Sequence, residues 1–162
     1  MSNKNCENVN KAVLPLLLDV YIERCDKATE NVIAVVDSQF FNHTISYFEE
    51  NKNEYMYLES EHLEAIKIDG LTFEVDDVFG TYSVMVGLKL QKKWESDIKS
   101  FLESNLQGEG PKYSMLFNQQ DGLWDLNFTY NYLQSFQEDA TIAMALQAIY
   151  ELLSKLQSEV LK

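Results

Sequence analysis

The chain has 162 residues, 46% of them hydrophobic and 24% charged, which suits one globular domain with a core of its own. Its 26 acidic side chains against 13 basic ones leave a formal net charge of −13. That excess excludes a nucleic-acid binder held by phosphate contacts, which needs a basic face, and argues against docking on anionic membranes.

A single domain over 1–162 is expected, with a loose tail over 1–10 where Asn, Lys and Ser dominate. The apolar run Ala12–Leu18 stops at Asp19, well short of the roughly 18 residues a membrane span requires. It lacks the basic flank and small-residue cleavage site of a secretory signal, so a cytoplasmic protein is expected. The segment 13–22 contains Pro15 and reads equally as a strand or a short helix. Asp26 or Thr29 then caps an expected helix carrying Ile33, Val36, Phe40, Ile45 and Phe48, which Asn51-Lys52-Asn53 ends. A short helix around 59–67 follows, and after Asp69-Gly70 a strand through Leu71, Phe73 and Val75.

The second half carries stronger periodicities. Tyr82, Val84, Val86, Leu88 and Leu90 alternate with mostly polar residues, the pattern of a half-buried strand. The period then lengthens: Trp94, Ile98, Phe101 and Leu102 form one stripe of a helix over roughly 92–106, stopped by Gly108, Gly110 and Pro111. Tyr113, Met115 and Phe117, a polar turn through Asp121-Gly122, and Trp124, Leu126, Phe128, Tyr130 and Tyr132 make a hairpin. Ser135-Phe136-Gln137-Glu138 fits a capping box before a final helix with Ile142, Leu146, Ile149, Leu153, Leu156 and Val160 on one side. The order helix, short helix, strand, strand, helix, hairpin, long carboxy-terminal helix predicts an α+β fold: a mostly antiparallel sheet with helices on one face.

Residues suited to chemistry are few. His43 and His62 sit in no metal-ligand spacing, and Cys6 and Cys25 form no C-x-x-C pair. Two cysteines do not make a disulfide scaffold, and reduced thiols are expected. Glu74, Asp76 and Asp77 cluster, as a hard-cation site would, but strand alternation alone accounts for Glu74 and Asp76 sharing a face. No phosphate-binding glycine motif and no G-x-S-x-G elbow occurs. No catalytic, cofactor-binding or metal-binding residue is therefore assigned, and the reading leans away from an enzyme.

Tyr21–Lys27, Glu74–Tyr82, Gly87–Lys93 and Asp121–Phe128 resemble a small uncharacterised bacterial family, some members of which carry the label branched-chain amino acid aminotransferase. Such an enzyme needs a Schiff-base lysine, a phosphate cup and a partner for the pyridine nitrogen in a larger fold, and no residue here matches them. Separately, the element order, size and acidity are similar to class I secretion chaperones, an analogy of fold alone.

The function expected is a small acidic, non-catalytic binding protein (chaperone-like, immunity-like or a regulatory adaptor) for a basic protein partner. The candidate surface is the polar sheet face with Asp125, Asn127 and Asn131, flanked by Glu74 and Asp76. The alternatives are a homo-oligomeric protein with Trp94, Trp124 and the final helix at its interface, a nucleic-acid mimic, and last an enzyme.

Overall fold

The computed structural model describes residues 19–162. Seven strands, β1 (Val20–Asp26), β2 (Val32–Val36), β3 (Glu54–Ser60), β4 (Ile68–Val75), β5 (Tyr82–Leu88), β6 (Tyr113–Asn118) and β7 (Leu123–Thr129), form one sheet in the order β2-β1-β3-β4-β5-β7-β6. Every neighbouring pair is antiparallel. Helices α1 (Tyr47–Glu50), α2 (Glu61–Ala65), α3 (Glu95–Asn105) and the long α4 (Ile142–Val160) complete an α+β architecture, with 3₁₀ turns at Ser38–Asn42, Lys92–Trp94 and Tyr130–Tyr132.

Strand alternation sets the two faces. Ile22, Met56, Leu58, Phe73, Val84, Leu126 and Phe128 point to one side and are buried. Leu63 of α2, Ile98, Phe101 and Leu102 of α3, and the α4 stripe from Ile142 to Val160 bury into the same cluster. Each Leu or Ile so buried contributes about 1.5–3 kcal/mol, which outweighs the modest intrinsic preference of these segments for helix. Phe73 lies at the centre, 5.4 Å from Phe48, 5.7 Å from Tyr82 and 6.2 Å from Tyr130 between ring centroids.

Three hairpins share one turn. Asp26 Oδ1 accepts from the backbone N–H of Ala28 (2.8 Å) and Thr29 (3.0 Å), and Asp76 Oδ1 from Val78 and Phe79 (2.8 Å each). Asn118 Oδ1 accepts from Gln120 (3.0 Å) and Asp121 (3.2 Å). Four residues after each Asx, the N–H of Glu30, Gly80 or Gly122 closes back on its carbonyl with φ of 63°, 70° or 67°. A short acceptor at the first position and a left-handed residue at the fifth therefore define the β1–β2, β4–β5 and β6–β7 connections.

That device corrects the expected helix over the first third. Asp26 does take up free N–H groups, but those of a turn rather than a helix. Val32, Ile33, Val35 and Val36 favour the pleated chain through their branched Cβ, and they form β2. Phe40, Phe41 and Phe48 enter the core from short helical turns, and Ile45 from the turn that joins them. The sequence reading also lacked β3, and Asp69-Gly70 lies inside β4 at an irregularity rather than before it. Ser135 does not begin the last helix. Thr141 does, its Oγ1 accepting from Met144 N–H at 3.1 Å. Segment 13–22 resolves to strand from Val20, while Cys6, the tail 1–10 and the rest of the Ala12–Leu18 run lie outside the described residues.

Candidate functional site

Among the described residues, no helix packs on the second face of the sheet. The register carries one row of side chains across all seven strands: Val35, Glu23, Tyr57, Thr72, Met85, Asn127 and Ser114. On one side of it Tyr21 stands opposite Glu59, and Gly87 and Leu116 flank Asp125. On the other, Cys25 stands opposite Tyr55, and Glu74, Ser83 and Thr129 line up across β4, β5 and β7.

The tyrosines and carboxylates are joined. Tyr21 donates to Glu23, and Tyr57 donates to Glu59 Oε1 at 2.6 Å. Burial under its neighbours, then the bond to Glu59, pushes the Tyr57 hydroxyl well above its ordinary range. Tyr55 is pushed up to about 12, chiefly by burial and then by its contact with Cys25. Each ring presents an apolar body with a polar tip, the form of side chain that anchors protein interfaces.

Two glycines shape the middle of the face. A Cβ on Gly70 would lie 2.8 Å from the Tyr57 hydroxyl oxygen, so the ring occupies space only a glycine leaves. A Cβ on Gly87 would lie 3.2 Å from Asp69 Cβ and 3.5 Å from Leu123 Cδ2. Between them runs a shallow groove of about 380 Å³ with Tyr57 and Leu123 as walls and Asp69, Asp121 and Asp125 at its rim. A second depression, about 540 Å³, opens at the ends of β5, β6 and β7 beside Phe79, Glu109, Lys112 and Tyr132.

The five residues singled out from the sequence have different settings. Asp125 and Asn127 are exposed on the open face and line the groove. Glu74 shares the face but is held by Lys27, whose Nζ lies 3.1 Å from its carboxylate and 3.1 Å from that of Asp77, and donates to the Val75 carbonyl at 2.7 Å. Asp76 caps the β4–β5 turn at the edge of the second depression, where Asn127 also reaches. Asn131 lies past the end of β7, and its Oδ1 accepts from the Tyr82 N–H at 2.8 Å. Asn127 is thus common to both depressions, while Asp76 and Asn131 bind backbone.

Sequence reading missed Tyr21, Glu23, Tyr55, Tyr57, Glu59 and Asp69. The signal was present as alternation in Glu54–Ser60, but aromatic residues on the open side mask it from a polar/apolar test.

Elsewhere the chemistry-bearing side chains serve the fold. The His43 ring packs between Phe40 and Tyr47, 5.4 Å from each, and its carbonyl accepts from Ile142 N–H at 2.8 Å. Trp124 is buried, with its indole N–H directed to the Gln91 carbonyl at 3.4 Å. Burial pushes the Cys25 thiol up, away from the reactive thiolate. Among the described residues, no group of three or more His, Cys, Asp or Glu side chains is placed to hold a metal ion. None of their helices is long and apolar enough to cross a membrane. A scan of protein-family models, a search of curated proteins and a search of solved structures each returned no match.

Proposed function

We propose that the protein is a small acidic, non-catalytic binding protein of the cytosol whose open sheet face docks a basic protein partner. The observation that carries this reading is the sheet face on which no described helix packs, where tyrosines stand among the carboxylates of Glu23, Glu59, Asp69 and Asp125. Aromatic rings supply contact area at low entropic cost, and the carboxylates select a basic surface and steer its approach. The net charge of −13 extends that steering over the whole molecule.

The test is capture of a partner from the protein's own cytosol at low and raised salt, with the wild type beside the triple variant Glu59→Gln, Asp69→Asn, Asp125→Asn. A basic protein retained by the wild type, released by salt and lost by the variant is the expected result. Equal capture by both chains would place the binding surface elsewhere.

A further inference from the structure

We propose that the outer edge of β2 is a self-association site, pairing antiparallel with β2 of a second copy to continue the sheet across a two-fold axis. Among the described residues, no strand pairs with that edge. Val32, Ile33 and Val35 are 49%, 45% and 61% exposed, in the one described strand of the sheet made wholly of apolar residues. Sheet edges are ordinarily protected by charge, proline, covering structure or bulges. Of these, among the described residues, β2 has only a bulge, at Ile33 between the partners of Cys25 and Arg24, and the stretch Ala34–Val36 beyond it pairs regularly with β1.

An uncharged antiparallel edge is complementary to a second copy of itself. The bulge leaves Ala34–Val36 as the regular stretch, and a two-fold through Val35 sets Val35 against its own copy and Ala34 against Val36. The contact is isologous and closes at two copies. The branched, exposed side chain of Val35 then meets its own copy at the axis, on the face it shares with Glu23. Charge points the same way. In a chain of net charge −13, β2 offers a basic partner no carboxylate, but it is a surface on which two like-charged copies can approach. The other free edge, β6, alternates and exposes a single large apolar residue, Leu116. Pairing through β2 also joins the two open faces, since Val35 lies beside Glu23 in the long row. The inference stands whether or not that face binds a basic partner.

The experiment is mass measurement by light scattering and sedimentation of the full chain over a wide concentration range, at low and raised salt. The expected result is a shift from 18.8 kDa to twice that mass, strengthened by salt because screening relieves repulsion, the opposite of salt's effect on a basic partner. Ile33→Lys with Val35→Lys should weaken self-association by at least about tenfold, while Leu116→Lys leaves it unchanged. Both sites are exposed, and a thermal melt verifies that each variant folds. Three results would overturn the proposal: a single-chain mass at every concentration, a dimer lost with Leu116→Lys but kept in the β2 variant, or mass growing past two copies. Slow amide exchange along β2 in a monomer would likewise overturn it, by placing another part of the chain on the edge.

Discussion

Glu54 is buried on the core side of β3, and its charge survives there because three donors meet it. Arg24 Nε and Nη2 donate to its two oxygens at 3.0 and 2.8 Å, and the Tyr47 hydroxyl donates at 2.7 Å. The paired guanidinium, then the Tyr47 bond, hold the carboxyl below its ordinary range against the opposing effect of burial. A carboxylate with a lowered folded-state pKa contributes stability that is present above its unfolded pKa and lost as pH falls through the folded one. Acid titration should therefore remove this contribution below the ordinary carboxylate range near 4.5. Arg24→Met should cost about 3 kcal/mol at neutral pH by stranding the carboxylate, and should flatten the acid limb of the stability curve, as denaturant melts across pH will show. Trp124 poses a simpler question of volume. Its burial predicts a loss of about 3–5 kcal/mol for Trp124→Ala by chemical denaturation; a small loss accompanied by abolished partner binding would mean that the ring contacts the partner instead.

At the scale of elements, the shared Asx turn is the device that converts strands into hairpins. Two copies place glycine at the left-handed position and one places Glu30, a residue with a Cβ to accommodate. Glu30→Gly should relieve that strain and stabilise by about 0.5–1 kcal/mol despite glycine's greater unfolded freedom, while a branched residue there should destabilise. A thermal melt of the two variants decides it. Lys27 works between elements, tying the β1–β2 turn to Glu74 and Asp77 beside the β4–β5 turn. It also leaves Glu74, though on the open face, already engaged by an ammonium group. Neutralising Glu59 and Asp125 should weaken capture of a basic protein more than neutralising Glu74, as parallel salt titrations of the single variants will show.

At the scale of the molecule, the described helices all bury into one face of the sheet, so the proposed docking surface lies on the opposite side of the same strands from the core. Substitutions on that surface should change binding with little effect on stability. Gly70→Ala is the expected exception, because its Cβ meets Tyr57 and must displace the ring.

The sequence by itself determined the second half of the fold. From Tyr82 onward each element is marked by a clean period, two for β5, β6 and β7 and near four for α3 and α4, because their outward residues are mostly polar. It also determined that Asp125 and Asn127 face away from the core. The first half was not legible in this way: Val32–Val36 is apolar throughout, and Glu54–Ser60 sets tyrosines against Met56 and Leu58, so neither shows the contrast that reveals a strand. Only the tertiary structure decided that these segments pair into the sheet, because antiparallel register is set by neighbours distant in the chain. The same pairing brought Tyr21, Glu23, Tyr57 and Glu59 onto the face that carries Asp125 and Asn127, and it turned Asp76 and Asn131 to backbone N–H groups.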